Sequence, residues 1–219
     1  MIGLLLATAL AATAPVPLIP PGTYTYTATM GGASVGTSTL TVKNVGTTTV
    51  IDEQVKGALS GSAASASDTL ILGADLAPLS YQMNATEDGS PLKDSAHIEN
   101  TTASVTDVHG KSASFDLLAS TKHFVVADFG LFAGLLPLPA QMRAWDNAPF
   151  LVVVPELGRS ATLVPDTSVT PQRPAGVPAQ DVAISFSGDA PFTIWYDPAT
   201  NLPDEIDVTS QGLTVTRQH

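Results

Sequence analysis

The chain contains no cysteine among its 219 residues. This absence excludes disulfides, thiolate metal sites, cysteine nucleophiles and lipid attachment through an N-terminal cysteine. An exported protein of this kind must be held together by its core alone. That property is more typical of the bacterial cell envelope than of small eukaryotic secreted modules.

Positive charge is scarce as well. Nine Lys and Arg residues stand against twenty Asp and Glu, which gives a net charge of −11. A nucleic-acid-binding protein needs clustered basic side chains to displace counterions, and the sequence has no such cluster. An anionic membrane surface would repel the chain. We therefore expect no nucleic-acid partner and no direct binding to anionic membranes, while the acidic balance supports solubility.

Charged residues of either sign make up only 13% of the chain, whereas hydrophobic residues make up 44%. This balance predicts a packed core and argues against disorder. The polar surface must come largely from Thr, Ser, Asn and Gln, which favour strands and turns over long solvated helices. The length suits one β-rich domain, which we expect over residues 22–217.

Residues 1–14 have the composition of a signal peptide. An apolar run from Ile2 to Leu10 precedes small residues, and Ala9-Leu10-Ala11 offers an A-x-A cleavage site. The run is shorter than the roughly 20 apolar residues that span a bilayer. No Lys or Arg precedes it, and an apolar N-terminal strand is the alternative. The prediction places the mature protein in the periplasm or outside the cell.

From residue 22 onward, apolar and Thr residues alternate between turn signals. Tyr24, Tyr26 and Met30 precede Gly31-Gly32, and the alternation then resumes, which indicates a β-hairpin. Similar stretches with turns at short spacing predict an antiparallel meander with one face buried. The C-terminal part predicts further strands at Phe150–Val154, Asp181–Ser187, Phe192–Tyr196, Glu205–Thr209 and Leu213–Arg217.

Residues 124–154 are the most apolar internal stretch. Pro137 and Pro139 interrupt it and Asp128 lies within it, which argues against a transmembrane helix. We expect a short helical segment near 128–145, as one or two helices around Phe129–Leu136 and Ala140–Trp145. A Pro-rich loop at 165–179 follows further on.

The stretch "FTIWYDPATNLPDEIDV" begins at Phe192 and contains three aromatic residues. Asp197-Pro198-Ala199-Thr200 fits a type I turn, with Asn201 suited to the left-handed conformation. Trp195 and Tyr196 then point to opposite faces of one strand. The pattern leaves open which of the two rings lies outside the core and what covers it.

Two short motifs suggest hydrolase chemistry. Gly32-Ala33-Ser34-Val35-Gly36 matches the G-x-S-x-G nucleophile elbow, but a strand pattern follows where the elbow needs a helix. Asp166-Thr167-Ser168 matches the active-site triplet of aspartic proteases, which need a second carboxylate to share one proton. A hairpin around Ser34 and a surface loop around Asp166 are the simpler interpretations.

The histidines allow a loose metal site at most. His97 and Glu99 share one strand face, as do Asp107 and His109, and a turn at Asn100-Thr101 could bring the pairs together. Solvated strand faces are the alternative. We otherwise find no catalytic constellation, no phosphate-binding loop and no indication of a cofactor.

The order of features resembles an uncharacterised family of bacterial envelope proteins. The likeness rests on "YTATMGGASVGTSTLTV", "LAPLSYQMNATEDGSP", "VVADFGLFAGLLPLPAQ" and the closing "IWYDPATNLPDEIDV" with "GLTVTR". That family is in turn similar to lipoprotein carriers of the LolA/LolB type. The resemblance implies an all-β dominated fold: a curved antiparallel sheet, as a half-barrel or open barrel, around a short helical insert whose concave face takes acyl chains.

The expected function is non-enzymatic binding or carriage of a lipid-like hydrophobic ligand in that concave face. A sheet curled around an apolar segment leaves few polar groups inside, which suits an acyl chain. The alternatives are a structural or partner-binding envelope protein with a filled core, and a hydrolase using Ser34 or Asp166. The protein partner, if there is one, stays open. The candidate lining residues are Phe129, Phe132, Leu135, Leu136, Trp145 and Trp195.

Overall fold

A computed structural model describes residues 19–57, 64–87, 89–117, 123–128, 130–188 and 191–219. The predicted signal peptide at 1–14 and the candidate lining residue Phe129 lie outside the described residues.

Strands dominate the described chain. The first eight are β1 Gly22–Met30, β2 Ala33–Val45, β3 Thr48–Gly57, β4 Ala64–Leu72, β5 Pro78–Glu87, β6 Ser90–Glu99, β7 Thr102–Thr106 and β8 Ser112–Asp116. The remaining seven are β9 Phe124–Val126, β10 Phe150–Val154, β11 Arg159–Pro165, β12 Val182–Ser187, β13 Phe192–Asp197, β14 Leu202–Val208 and β15 Leu213–Arg217. One α-helix, α1 Leu138–Ala144, lies between β9 and β10, and a 3₁₀ turn at Pro155–Leu157 follows β10.

All fifteen strands form one sheet in the order β8-β7-β6-β5-β4-β3-β2-β1-β15-β14-β13-β12-β11-β10-β9. Almost every strand pairs with its neighbours along the chain, and the pairing of β1 with β15 joins the two halves. The predicted curved antiparallel sheet with a short helical insert is confirmed. One pair departs from it, because β9 runs parallel to β10.

The curvature follows from the connection between the two edge strands. Only residues 117–123 join β8 at one edge to β9 at the other. Because an extended chain spans at most about 3.6 Å per residue, the two edges lie within roughly 29 Å of each other. The sheet is curved but does not close into a barrel. Instead β9 contacts β5, and the 3₁₀ turn after β10 contacts β6 and β7.

One face of the N-terminal strands is buried and the other is exposed. In β3, Ile51, Glu53 and Val55 point inward while Gln54 and Lys56 are exposed, and neighbouring strands alternate in the same way. The period of two thus assigns each residue to the inner or outer face. The inner face carries the main core.

Several predicted elements match the structure closely. Gly31 and Gly32 form the first hairpin turn with φ of 58° and 84°, values that favour glycine. The strands at Phe150–Val154 and Leu213–Arg217 have the predicted bounds. β14 begins earlier than predicted, at Leu202, because Pro203 lies opposite Tyr196 at a β-bulge, where a missing N–H is tolerated.

The helical insert is shorter than predicted. Residues 133–137 form turns, so the predicted helix over Phe129–Leu136 is wrong for its described part, whereas α1 overlaps the second predicted helix. Glu53 on β3 accepts the N–H groups of Phe132 and Ala133 at the start of a single turn, which the Leu136 N–H closes onto the Phe132 carbonyl. Pro137 and Pro139 lack the N–H groups that would continue this turn as a helix. Pro137 and Pro139 then suit the start of α1, where prolines are tolerated. No helix of the described residues has the length and apolar character to cross a membrane.

Candidate functional site

Residues 127–149, here named the cover segment, connect β9 to β10 and lie over the inner face of the sheet. The segment is largely apolar and closely packed, and its buried hydrophobic side chains include Leu131, Phe132, Ala133, Leu136, Leu138, Ala140, Met142 and Trp145. These residues join the strand residues of the inner face in one core. All of the candidate lining residues except Trp195 fall within this segment of the sequence.

The structure brings four of the six candidate lining residues together. Phe132, Leu136 and Trp145 are buried in the core, and Leu135 is partly buried against it. Phe129 lies outside the described residues. Trp195 is also buried but does not belong to the main core, whereas its neighbour Ile194 does. Ligand binding by these side chains stays a prediction.

Trp195 is the ring on the outer face, and the Pro-rich loop covers it. The Arg173 guanidinium lies 4.7 Å from the centroid of the Trp195 ring, a cation–π arrangement. The same guanidinium donates hydrogen bonds to the carbonyls of Pro178 and Asp181, which fixes the loop in place. The Asp197 turn forms as predicted: Asn201 has φ 59° and donates its N–H to the Asp197 carbonyl.

Aromatic rings continue from the cover segment into the C-terminal strands. Trp145 stacks on His123 with centroids 4.6 Å apart and packs against Phe150. Phe150 meets Phe186 edge-on, and Phe186 stacks on Phe192. Such pairs contribute roughly 0.5–1.5 kcal/mol each beyond area burial, so they anchor this end of the cover segment.

Polar contacts hold the cover segment at its helical end. The Gln141 side chain on α1 donates from Nε2 to the Leu76 carbonyl in the β4–β5 loop, at 2.8 Å. Arg143 reaches the Pro198 carbonyl in the β13–β14 turn. Gly134 packs so closely on β9 that a Cβ there would lie 2.2 Å from the Val126 carbonyl oxygen. The segment is therefore bound to several separate parts of the sheet.

Glu53 is the central polar anchor beneath the cover segment. Its side chain is fully buried on β3, and its Oε2 accepts the N–H groups of Phe132 and Ala133 at 2.7 and 2.8 Å. The Ser38 hydroxyl on β2 donates to Oε1. Burial raises the pKa of Glu53, although these three hydrogen bonds oppose the shift.

Further buried acids extend from Glu53 across the sheet. Asp68 lies directly opposite Glu53 in the β3–β4 pairing, Met83 lies opposite Asp68, and Asp94 lies opposite Met83. Asp68 and Asp94 are 3% and 4% exposed. This row of inward-facing acids is unusual, because like charges directly opposite each other destabilise a sheet.

Asp128 of the cover segment meets the far end of this row. Its Oδ1 accepts the Glu156 N–H at 2.8 Å, and its carboxyl lies beside that of Asp94. The Tyr81 hydroxyl faces these acids and interacts with the carboxyls of Asp68 and Asp128. We name Glu53, Asp68, Tyr81, Asp94 and Asp128 the inner acid group.

The environment of the inner acid group favours protonated carboxyls. Burial, followed by the charge of Glu53, raises the pKa of Asp68 to about 10. Burial and the neighbouring Asp128 raise the pKa of Asp94 to about 8. Burial also raises the pKa of Asp128 and of Tyr81. Since two like charges in contact cannot both ionise cheaply, the Glu53–Asp68 and Asp94–Asp128 pairs each hold a proton at neutral pH.

No sequence motif marks these acids. The signal was available, because Glu53 has the same strand phase as Ile51, and Asp68 has the same phase as Leu70. A carboxylate in the inward phase of a strand is rare enough to indicate a special role. Within the described residues, however, no three His, Cys, Asp or Glu side chains are arranged to hold a metal ion.

A second polar cluster lies where β1, β14 and β15 meet. Asp204 is buried and forms a salt bridge with Arg217, and His219 approaches the same carboxylate at 3.5 Å. Burial and the neighbouring Asp204 raise the pKa of Asp181 to about 7. Nearby, the buried Tyr26 hydroxyl donates to the Pro203 carbonyl at 2.9 Å. The hydrogen bond from Tyr26 joins the two halves of the sheet, whereas the contacts of Asp204 lie within the C-terminal half.

The motif residues do not assemble into catalytic sites. Ser34 is exposed on β2 directly after the Gly31-Gly32 turn, so a strand stands where the nucleophile elbow needs a helix. Asp166 accepts hydrogen bonds from the N–H and hydroxyl of Ser168, which hold its pKa below the usual value. An aspartic dyad needs the opposite, a shared proton.

The histidine pairs are also kept apart. In the β6–β7 hairpin His97 lies opposite Ser104 and Glu99 opposite Thr102. Asp107 instead accepts the N–H groups of His109 and Lys111 and so forms the next turn. The hypothetical metal site is not assembled by the turn at Asn100.

Two clefts of the described residues lie beside β12, and Asn147 near the end of the cover segment lines the larger one. One has a volume of about 310 Å³ and the other about 210 Å³, and Asp166, Val169 and Ser185 line both. Neither cleft is lined by a candidate lining residue from the sequence analysis.

Comparisons of the chain with protein-family models, with curated proteins and with solved structures found no match. The likeness to the LolA/LolB-type carriers therefore stays a prediction.

Proposed function

We propose that the protein is an exported, non-enzymatic protein of the bacterial cell envelope that binds or carries a lipid-like ligand on the inner face of its curved sheet. One observation supports this function best. The inner face is covered by a separate apolar segment rather than by a second sheet, and the sheet edges remain open. A cover of this kind occupies the space that an acyl chain would take.

The chemistry of the covered surface suits such a ligand. Phe132, Leu136 and Trp145 share one core with aliphatic and aromatic side chains of the strands. An acyl chain that displaces residues 130–136 would meet the same apolar strands, so its burial would offset the lost contacts. The few polar groups, centred on Glu53, would then orient the head of the ligand.

Native mass spectrometry of protein purified from a periplasm without detergent tests this proposal. We expect a stoichiometric extra mass that is extracted by organic solvent as a lipid. The absence of any bound mass, even after incubation with fatty acids, alkylamines and phospholipids, would contradict the proposal.

A specific surface feature favours a second candidate, a partner-binding envelope protein with a filled core. β11 pairs with β12 over Val164 and Pro165, which leaves residues 182–184 without a paired strand on that side in the described part of the chain. Val169 and Val182 are 50% and 41% exposed beside this edge and line the larger cleft. An open edge with apolar neighbours can accept an extended peptide. A protein that carries no lipid in the mass spectrum would favour this candidate.

A further inference from the structure

The edge of β12 has a short gap that the Pro-rich loop leaves open. We propose that this gap binds an extended segment of a protein partner in which apolar and basic residues alternate, and that the segment adds a short strand beside Ala183. This inference deepens the second candidate function, and it does not depend on a ligand beneath the cover segment.

The backbone groups of Ala183 face the open side of β12. In an antiparallel sheet, the N–H and C=O of successive residues point alternately to the two neighbouring strands. The Ser185 carbonyl accepts the Asp166 N–H at 2.8 Å on the β11 side, so Ala183, two residues earlier, faces the same side. In the described part of the chain, no strand pairs with Ala183 there, because β11 pairs with β12 only at Val164 and Pro165.

The loop bounds this gap at both ends. At one end stands the hydrogen bond from Asp166 to Ser185. At the other, the Asp181 N–H donates to the Pro178 carbonyl at 3.2 Å, and the Asp181 carbonyl accepts from Arg173 at 2.7 Å. The larger cleft, of about 310 Å³, runs beside the strand between these two ends. A short extended segment can therefore enter without the displacement of a packed element.

An apolar surface lies on one side of the gap. Val182 and Ile184 share one strand phase, and both line the larger cleft together with Val169 of the loop. Val169 and Val182 are exposed to solvent. An apolar side chain of the partner would cover them and so remove apolar surface from water.

Acidic groups lie on the other side of the gap. Ser185 has the opposite strand phase from Ile184, and Thr193 and Asp207 continue its row on β13 and β14. Asp166 lines the smaller cleft together with this row. None of the described residues that line either cleft is Lys, Arg or His. Basic side chains of a partner would complement this charge.

An extended segment matches both sides at once, because its successive side chains point to opposite faces. Alternating apolar and basic residues would place the apolar ones beside Val182 and the basic ones beside Asp166. Main-chain hydrogen bonds to Ala183 supply affinity, and the alternating side chains supply specificity. A second copy of the chain is a poorer partner, since its net charge of −11 would be repelled.

The test compares three short peptides of equal length with blocked ends. The first alternates valine with lysine, the second alternates valine with glutamate, and the third has the residues of the first in two separate blocks. Fluorescence anisotropy measures their binding at about pH 7 and in roughly 150 mM salt. We expect the alternating valine–lysine peptide to bind at least about tenfold more tightly than the other two.

Two variants locate the bound peptide. Ala183→Pro removes an N–H on the open side and leaves the β12–β13 ladder intact, so affinity for the valine–lysine peptide should fall at least about tenfold. Asp166→Asn still accepts the Ser168 N–H through its amide oxygen but loses the charge, and affinity should fall at least about threefold. The exposed Glu99→Gln on β6 is the matched control and should leave affinity unchanged. Circular dichroism establishes that each variant is folded.

Hydrogen exchange in the native protein gives a readout that needs no variant. The added strand would pair with Ala183, so the valine–lysine peptide should slow exchange of the Ala183 amide at least about tenfold. The block peptide at equal concentration should leave this rate unchanged.

Three outcomes would overturn the inference. Equal binding of the block peptide would assign the attraction to net charge. Full binding to folded Ala183→Pro, with unchanged exchange at the native Ala183 amide, would exclude an added strand. Dimers in analytical ultracentrifugation that Ala183→Pro abolishes would assign the gap to a second copy.

The same data separate this inference from the proposed lipid function. Extractable lipid without peptide binding would refute this inference alone. Peptide binding by a protein that takes up no lipid would refute the lipid function and support this inference.

Discussion

Single residues of the inner face combine predictable orientation with unpredictable partners. The alternation in β3 places Glu53 inward with Ile51 and Val55, and the same reasoning places Asp68 and Asp94. The alternation does not indicate what an inward carboxylate contacts. Glu53 meets the backbone of Phe132 and Ala133, which are far away in the sequence, so its role depends on the tertiary structure.

Tyr26 offers a test at this scale. Its buried hydroxyl donates to the Pro203 carbonyl and so links β1 to β14 across the junction of the two halves. Tyr26→Phe leaves that carbonyl without its donor, and we expect the free energy of unfolding to fall by about 1–2 kcal/mol. Urea denaturation measures the change.

Tyr24→Phe is the matched control for this substitution. The Tyr24 hydroxyl also donates to a backbone carbonyl, that of Pro20, but it is only partly buried. Water can replace it, so we expect a smaller loss of stability. Equal losses in the two variants would contradict the role assigned to Tyr26.

Arg173 provides a second test, since it closes the Pro-rich loop over Trp195. Arg173→Ala should increase hydrogen exchange at the Trp195 indole N–H and lower stability by about 1 kcal/mol. Proton–nitrogen NMR follows the indole signal. Arg159→Ala removes an exposed arginine elsewhere and should leave that signal unchanged. An unaltered exchange rate in Arg173→Ala would show that the loop does not depend on this contact.

Among the secondary-structure elements, the hairpins follow local rules and the cover segment does not. The turns at Gly31-Gly32 and Asp197–Thr200 form where glycine, proline and asparagine favour them. The predicted helix before Pro137 is reduced to a single turn that begins at the hydrogen bonds from Phe132 and Ala133 to Glu53, because Pro137 and Pro139 lack the N–H groups to extend it. Helix propensity is a weak preference that tertiary contacts override.

Gly134→Ala tests how tightly the cover segment packs on β9. The added Cβ would lie 2.2 Å from the Val126 carbonyl oxygen and 2.8 Å from the Ala127 Cβ, so the backbone must shift. We expect a loss of about 1–3 kcal/mol in the free energy of unfolding. Amide exchange at Phe132 and Ala133 should increase as well, because their hydrogen bonds to Glu53 would be strained.

Gly73→Ala is the control for this substitution. A Cβ at Gly73 first meets the end of the Asp75 side chain, at 3.1 Å, and this side chain can move. We expect Gly73→Ala to lower the free energy of unfolding by less than about 1 kcal/mol and to leave amide exchange in the cover segment unchanged. Unchanged exchange at Phe132 and Ala133 in Gly134→Ala would contradict the close packing.

The whole molecule is expected to be more stable in acid than in base. Folding raises the pKa of Asp181 to about 7, of Asp94 to about 8 and of Asp68 to about 10, from a value of 3.8. The native state therefore binds these protons more tightly than the unfolded state. Their contribution to stability is complete below about pH 4 and is lost as the pH rises through the folded-state values.

Denaturant unfolding at about pH 5.5 and about pH 8.5 measures this dependence. We expect a lower free energy of unfolding at the higher pH. The hydrogen bond from Lys43 lowers the pKa of Asp52, so Asp52 contributes stability that increases with pH. This pair is exposed to solvent, and its contribution is too small to reverse the expected loss of stability at high pH. Asp94→Asn should flatten the dependence and Glu99→Gln should not. Stability that rises with pH would contradict the protonated state of the inner acid group.

The sequence by itself determined the all-β character, the hairpin turns, the inward and outward phases of the strands and the short helical insert. These properties depend on alternation and turn chemistry, which act between residues close together in the chain. Only the tertiary structure decided that residues 117–123 join the two sheet edges, that Trp195 lies under Arg173 and that Glu53 anchors the cover segment. Those contacts join residues far apart in the sequence, and local patterns carry no information about which distant groups meet.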